Sequence, residues 1–146
     1  MNHEKYRLDD SLGYKLFHAS RLISNRLNQN FKDHCFPVTY EQWQIMSRLY
    51  EKDGQTQNNL ALLTEKDQPS VSRLIDNMIK RGLVKRIFHT TDRRVNLIYL
   101  TEESKKMQTQ LEELAKKTIA DASFEIDPED MAICLRVLDK IRENLK

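Results

Sequence analysis

The sequence predicts a mostly α-helical protein with one small β-hairpin. Apolar residues recur at helical spacing over most of the 146 residues, only three Gly and three Pro interrupt them, and two β-prone runs stand side by side after Gly82. Hydrophobic residues make up 39% and charged residues 32% of the chain, a balance typical of a globular protein with few loops. This length suffices for one hydrophobic core, so we interpret residues 1–146 as a single domain.

The first half of the chain is predicted to contain three helices. The first runs from about residue 10 to residue 33 and ends before Pro37. Thr39 is predicted to cap the second, with Gln42 completing a capping box, and the helix ends near residues 53–54. A short third helix starts near Thr56 and carries the apolar residues Leu60, Leu62 and Leu63.

A fourth helix begins with strong start signals and ends at a glycine. Asp67 or Gln68 can cap it, Pro69 suits its first turn, and Gly82 suits the left-handed position after its last turn. The side chains predicted to form its buried face are Leu74, Ile75, Met78 and Ile79.

The second half of the chain is predicted to form a hairpin and two long helices. The runs 83–88 and 95–100 alternate like strands and are joined by residues 89–94. Thr101 is predicted to cap the fifth helix, and Asp127-Pro128 to start the sixth. The apolar stripes of these two helices contain Met107, Leu111, Leu114, Leu135, Leu138, Ile141 and Leu145.

Helices two to four and the hairpin, residues 39–100, together predict a compact winged helix-turn-helix module. The flanking segments, residues 10–33 and 101–146, carry more apolar surface than this small module can cover. We therefore expect them to be dimerisation helices that pack against each other and against a second copy of the chain. In such a dimer, helix four of each copy would be the reading helix, the one that contacts DNA bases. Two-fold symmetry would then place the two reading helices about one DNA turn apart.

Charge is distributed unevenly along the chain, although the formal net charge is only +2. Residues 66–94 contain eight basic and three acidic residues, whereas residues 102–146 contain eight basic and eleven acidic ones. A basic centre followed by an acidic end predicts that a polyanion binds the middle of the chain.

Several motifs in and around this centre are specific. Leu60-Ala61 lies in helix three, SVSRLI (residues 70–75) opens helix four, KRGLVKR (80–86) ends it, and Asp92-Arg93-Arg94 precedes Leu100-Thr101. These motifs, with the order of six helices and a wing, resemble the MarR family of bacterial transcription regulators. Ser104 is one departure, because the family often has Gly there. The resemblance implies a homodimer on a pseudopalindromic operator, often a repressor, and often released by a small aromatic ligand or by thiol oxidation.

Polar side chains on the early, exposed turns of helix four are candidate DNA contacts. A Gln side chain can read adenine, an Arg side chain can read guanine, and a hydroxyl group can reach either a base or a phosphate. Helix capping by Ser70 and a solvated charge at Arg73 are the alternatives, but the adjacent wing favours contact. The candidates are Gln68, Ser70, Ser72, Arg73 and Asn77.

The predicted hairpin is the wing of the module, and its tip contains Asp92, Arg93 and Arg94. Asp92 can pair with Arg94 and orient its guanidinium before DNA arrives. The family pattern favours Arg94 in the minor groove, whereas Arg93 could do the same or touch phosphate. Four further basic side chains are candidate phosphate contacts or merely solubilising charges: Lys80, Arg81, Lys85 and Arg86.

Two cysteines make no disulfide framework, which favours a reducing cytoplasm. Cys35 follows His34, whose imidazolium could activate a redox-sensing thiol, although some family members use a cysteine at the start of helix one instead. Cys134 falls on an apolar stripe and is predicted to be a core thiol. The four histidines, including His3 and His89, lack metal-ligand spacing, so we expect no metal site.

A crevice between the module and the long helices could bind an effector. The polar-aromatic residues expected near it are Tyr14, His18, Tyr40 and Trp43. A half-buried helix histidine at His18 and a core tryptophan at Trp43 are the alternatives. Occupation of the crevice would change the spacing of the two reading helices.

The sequence argues against an enzyme and against a cofactor. It contains no Gly-rich phosphate loop, no metal cluster and no convincing nucleophile–base set. No stretch is long and apolar enough to span a membrane, and no secretory signal opens the chain, so a membrane partner is not expected. The stronger rival is a winged helix used only for protein contact, which needs neither a basic tip nor a polar reading helix.

Overall fold

The computed structural model describes residues 5–88, 90–92 and 95–146, so the predictions that concern His3, His89, Arg93 and Arg94 lie outside the described residues. The fold class is confirmed: the described residues form six α-helices and a small three-stranded antiparallel sheet. The helices are α1 (Leu12–Asp33), α2 (Tyr40–Glu51), α3 (Gln57–Thr64), α4 (Gln68–Lys80), α5 (Glu102–Ala122) and α6 (Pro128–Leu145). The strands are β1 (Gln55–Thr56), β2 (Val84–Phe88) and β3 (Asn96–Leu100).

Side-chain caps start α2, α4 and α5 as predicted. The Thr39 hydroxyl accepts from the Gln42 amide at 3.4 Å while the Gln42 side chain accepts from the Thr39 amide at 3.0 Å, which confirms the capping box. Asp67, rather than Gln68, caps α4 by accepting from the Ser70 amide at 2.8 Å. Thr101 caps α5 in the same way.

The first helix starts two residues later than predicted. Leu8–Asp10 form a short 3-10 turn, and Ser11 then accepts from the Tyr14 amide and caps α1 at Leu12. The apolar spacing that predicted this helix extends across the turn, but a residue with a hydroxyl in extended backbone is the stronger start signal.

The predicted hairpin is present and gains a third strand. The order of strands is β1-β3-β2, all antiparallel, with Val84 opposite Leu100 and Phe88 opposite Asn96. Strand β1 pairs Gln55 with Ile98 and was not predicted, because two residues are too short to show alternation. It joins the hairpin to the loop before α3, so the wing is attached to the helix-turn-helix by backbone hydrogen bonds.

The core lies between the helix-turn-helix, the inner face of the sheet and the facing stripes of α1 and α5. Its largest fully buried side chains include Phe31, Ile45, Met46, Leu49, Leu60, Ile75, Met78, Ile98 and Leu111. Leu62 and Leu63 are 76% and 38% exposed, and α3 buries Leu60 and Ala61 instead. A helix of only two turns has one narrow buried side, which explains why not all its leucines are covered.

Hydrogen bonds join the winged helix-turn-helix module to α5. The Ser104 side chain is fully buried and its hydroxyl donates to the Leu83 carbonyl at 2.6 Å. The Tyr50 hydroxyl donates to the Ser104 carbonyl, and burial, with the nearby Glu112 charge, raises the pKa of Tyr50. The departure from the family pattern at Ser104 therefore has a structural role: its hydroxyl ties the start of α5 to the start of the wing.

Helix α6 contributes no buried residue to the core of the single chain. Leu135 and Leu145 are 56% and 82% exposed, and Cys134 is exposed as well. The prediction of a core thiol at Cys134 is therefore wrong. The apolar stripe predicted correctly which face of α6 is apolar, but a stripe does not say what covers that face. Within the described residues, no helix is both long and apolar enough to cross a membrane.

Candidate nucleic-acid interface

Helix α4 buries one face and presents the other to solvent. Val71, Ile75 and Met78 are fully buried against the core, which fixes the rotation of the helix. All five candidate reading residues lie away from this buried face. Gln68, Arg73 and Asn77 are exposed, whereas Ser70 and Ser72 are half-buried. The sequence therefore placed a polar face on α4 correctly.

The first turn of α4 is held by a chain of hydrogen bonds. The Ser70 hydroxyl donates to Asp67 at 2.9 Å, and the Arg73 guanidinium donates to Ser70 Oγ at 3.4 Å. Hydrogen bonds from the backbone and then the side chain of Ser70 hold the pKa of Asp67 below its usual range. Ser70 thus supports the cap, while the long contact leaves the Arg73 guanidinium free to turn toward a ligand.

The basic side chains around α4 fall into two groups. Lys80, Arg81 and Lys85 are exposed at the end of α4 and on β2. Arg86 is different: its Nη2 lies 2.9 Å from Asp76 Oδ1 and 3.2 Å from Gln57 Oε1, and its side chain is only 25% exposed. The wing tip contributes Asp92, which is half-buried, while Arg93 and Arg94 lie outside the described residues.

The sequence did not single out Gln57 or Asp76. Gln57 opens α3, and Asp76 lies on α4 one turn beyond Arg73. An acidic residue on an otherwise polar and basic helix was the available signal, because such a charge usually has a basic partner. That the partner would be Arg86, ten residues away on a strand, depends on tertiary structure.

The four predicted crevice residues form two pairs. The rings of Tyr14 and His18 lie 4.3 Å apart on α1. Trp43 is half-buried, with its ring 5.9 Å from that of Phe31, and it lies one turn from Tyr40 on α2. In the single chain, Tyr40 and Trp43 line one cavity together, whereas Tyr14 and His18 line none of the cavities that lie beside Tyr40.

Two of the cavities beside Tyr40 differ in character. One, of about 390 Å³, lies between α1, α5 and α6 and has mostly apolar walls, including Leu16, Ile23 and Met131. The other, of about 530 Å³, is polar and is lined by Tyr40, Trp43 and residues from α3 and α6. At its edge Arg142 donates to Glu65, which lowers the pKa of the Glu65 carboxyl.

Cys35 lies just beyond the end of α1, is exposed, and has a left-handed φ of 64°. The neighbouring His34 ring is turned back onto its helix, with Nδ1 2.9 Å from the Asn30 carbonyl. In the part of the chain that the structure describes, no three His, Cys, Asp or Glu side chains are grouped closely enough to hold a metal ion.

A helix-turn-helix whose second helix has an exposed polar face, followed by an antiparallel hairpin, defines a winged-helix protein. Residues 36–95, which form most of this module, match the model of the MarR family. The resemblance inferred from the motifs is therefore confirmed over these residues, which are similar to the winged helix of the MarR family.

Solved structures share the fold over nearly the whole chain. BpsR of Bordetella bronchiseptica, whose DNA binding is described as regulated by 6-hydroxynicotinic acid, is 19% identical, with a TM-score of 0.85, over 95% of this chain and 98% of its own. A MarR transcriptional regulator from Methanosarcina mazei is 22% identical, with a TM-score of 0.79, over 91% and 94%. The transcriptional repressor CouR, solved bound to a 23-mer DNA duplex, is 20% identical, with a TM-score of 0.82, over 95% and 99%.

Proposed function

We propose that this protein is a sequence-specific regulator of transcription that binds double-stranded DNA. In this proposal it acts as a homodimeric repressor on a pseudopalindromic operator and is released by a small-molecule effector. The observation that carries the proposal is the exposed polar face of α4 beside a basic wing. The DNA-bound state of CouR, which shares the fold, supports it. No catalytic role and no cofactor are proposed.

In this proposal α4 enters the major groove and its first turns read base edges. Arg73 would donate two hydrogen bonds to guanine, and Gln68 is suited to adenine. Ser70, Ser72 and Asn77 would reach bases or phosphates nearby. The cap at Asp67 supports this assignment, because it fixes the helix start from which all five side chains project.

The wing and the end of α4 would hold the duplex on either side of the reading helix. Arg94, oriented by Asp92, is proposed for the minor groove, and Arg93 for the minor groove or a phosphate. Lys80, Arg81 and Lys85 are exposed and suited to phosphates, which position the protein without reading sequence.

Exposed apolar surface on the helices at the chain ends supports the homodimer. These side chains lie on α1, in the second half of α5, in the turn after α5, and on α6, where no residue is buried. A single chain rarely leaves so many large apolar side chains in water. They are Leu12, Phe17, Leu22, Ile119, Phe124, Ile126, Ile133, Leu135, Val137 and Leu145.

Binding to random duplex DNA is expected to weaken steeply as salt concentration rises. Three phosphate contacts per protomer, six per dimer, give a slope of about −5 in log affinity against log salt. Fluorescence anisotropy with a labelled random duplex between low and physiological salt measures this slope. No measurable binding to duplex DNA at low salt would favour the rival winged helix that contacts only protein.

Effector control is proposed for the apolar cavity beside Tyr40. A ligand there would touch α1, α2, α5 and α6 together, so it could change the spacing of the two reading helices. It can release DNA only by binding the unsuitable spacing more tightly, and by no more than that preference. Regulation of BpsR by a small aromatic acid, 6-hydroxynicotinic acid, supports an effector of this class.

A small aromatic acid is expected to weaken DNA binding and to quench the fluorescence of Trp43, the only tryptophan. The quench is expected because Trp43 lies one turn from Tyr40, which lines the cavity. A library of hydroxylated benzoic and nicotinic acids, titrated with both readouts, tests this. If no compound moves either signal, aromatic control is ruled out for that class, and loss of oxidant response in Cys35→Ser would then establish thiol control instead.

A further inference from the structure

We propose that Arg86 is a positioning residue, which fixes the angle between the wing and the reading helix and leaves phosphate binding to its exposed neighbours. The inference rests on the proposed function, because the angle has a purpose only if α4 and the wing bind one duplex. It assigns a role to Asp76 and Gln57, which are not among the candidate DNA contacts.

One guanidinium connects three elements of the module. Arg86 is on β2 of the wing, Asp76 is on α4 and Gln57 opens α3. Its Nη2 donates to Asp76 Oδ1 at 2.9 Å and to Gln57 Oε1 at 3.2 Å. The bond to Asp76 is charge-assisted and has the length of a strong hydrogen bond. A single side chain therefore holds the wing against both helices of the helix-turn-helix.

The side chain also faces the wrong way for a phosphate contact. Arg86 is opposite Ile98 in the sheet, and Ile98 is fully buried, so Arg86 projects from the inner face of the hairpin. Its Nε is buried and has no hydrogen-bond partner within the described residues. Burying an unpaired donor costs stability, so the pairing with Asp76 must offset that cost.

Lys85 provides a matched comparison on the same strand. It is adjacent to Arg86 and therefore projects from the opposite face of the hairpin, where it is exposed. Lys85 has the geometry of a phosphate contact. Arg86 has that of an internal brace, by which we mean a side chain that holds the wing in a fixed position against α3 and α4. Substitutions at the two positions should consequently have different effects on DNA binding.

The angle matters only when two elements bind at once. Helix α4 in the major groove and the wing in the minor groove must match a fixed separation along the duplex. Phosphate contacts with random DNA tolerate small changes in that angle, because the backbone is the same along every sequence. Loss of the brace should therefore lower the preference for an operator and spare non-specific binding.

Asp76→Asn is the decisive variant, because the two roles predict opposite results. If Arg86 is a brace, removal of its partner lowers the preference for a selected duplex over a random one by about tenfold and changes random-duplex affinity by less than about twofold. If Arg86 is a phosphate contact, removal of a nearby carboxylate tightens binding to both duplexes, which would overturn the proposal. The probes are a random duplex and a duplex selected by the wild-type protein from a randomised library.

Two further variants separate positioning from simple stability. Arg86→Lys keeps the positive charge but loses the planar guanidinium, which can donate to two partners at once. The preference for the selected duplex over the random one should therefore fall, while the salt slope stays unchanged. The exchanged pair, Asp76→Arg with Arg86→Asp, should regain most of the preference. Thermal melting monitors folding of each variant. Lys85→Ala is the comparison: it should lower the salt slope by about one unit per protomer and weaken binding to the selected and the random duplex by a similar factor.

A measurement without DNA distinguishes failure of this inference from failure of the proposed function. In free protein, Asp76→Asn should accelerate amide exchange in β2 by about tenfold or more and leave exchange in α5 unchanged. Unchanged exchange in β2 would overturn the brace whether or not the protein binds DNA. Faster exchange in β2, in a protein that binds no duplex, would support the brace and contradict the proposed function.

Discussion

Leu135→Glu is expected to convert a dimer into a monomer and to lower operator affinity by about a hundredfold or more, because one protomer then binds one half-site without the benefit of its partner. Leu135 is 56% exposed in the single chain, and no residue of α6 is buried. The substitution therefore leaves the chain's own core intact. A charge placed on an apolar surface that packs against a second copy would be desolvated without a partner, which opposes association.

Sedimentation velocity at micromolar concentration measures the mass, which is expected to fall from about twice 17.3 kDa to one chain. Gln110→Glu is the control, since it makes the same change in charge at an exposed position in the first half of α5. Circular dichroism should show unchanged helix content in both variants. A wild-type protein that is monomeric and fully folded at this concentration would disprove dimerisation through the chain ends.

The helix starts were predictable because their causes are local. Ser, Thr and Asp side chains accept hydrogen bonds from backbone amides two or three residues further along the chain. A helix cap can therefore be recognised from a few neighbouring residues, as at Thr39 and Thr101. Gly82 was predictable for a similar reason: its φ of +72° is strained for residues with a side chain. The first turn of α1 was misplaced because apolar spacing alone does not resolve a 3-10 turn from an α-helix.

Features that depend on distant parts of the chain were not predictable. The short strand β1 exists because β3 offers it a partner more than forty residues later. Helix α2 ends at Glu51, a few residues before the predicted end near residues 53–54. Gly54 lies in the turn that follows with a φ of +71°, and the structure adds a second reason for glycine there. A Cβ at this position would lie 2.7 Å from the Tyr99 ring. No local pattern around Gly54 points to a tyrosine on β3.

The candidate site also has features that the local sequence predicts and features that depend on tertiary structure. The polar face of α4 follows from helical periodicity, since Val71, Ile75 and Met78 must turn inward. Tyr14 and His18 are separated from Trp43 because Trp43 packs against Phe31, near the far end of α1, and that contact is tertiary. Arg86 shows the same limit most clearly: the charge is visible in the sequence, but its pairing with Asp76 is tertiary.

Arg73→Ala is expected to weaken binding to the selected duplex by about 1–3 kcal/mol and to relax the preference at one base position. Arg73 lies on the exposed face of α4, and the contact of its guanidinium with Ser70 Oγ, at 3.4 Å, is too long to hold it firmly. Truncation removes a bidentate donor from the major groove without disturbing the buried face. Random-duplex affinity should change little, because that binding depends on phosphates.

Lys85→Ala should give the complementary result: all duplexes bind more weakly by a similar factor, and the salt slope falls by about one unit per protomer. Arg136→Ala is the control for general loss of positive charge, because Arg136 is exposed on α6, outside the winged-helix module. Anisotropy titrations of the three variants on selected and random duplexes at several salt concentrations make the comparison. Equal losses on both duplexes for Arg73→Ala would assign Arg73 to a phosphate, and base reading would then rest on Gln68, Ser72 and Asn77.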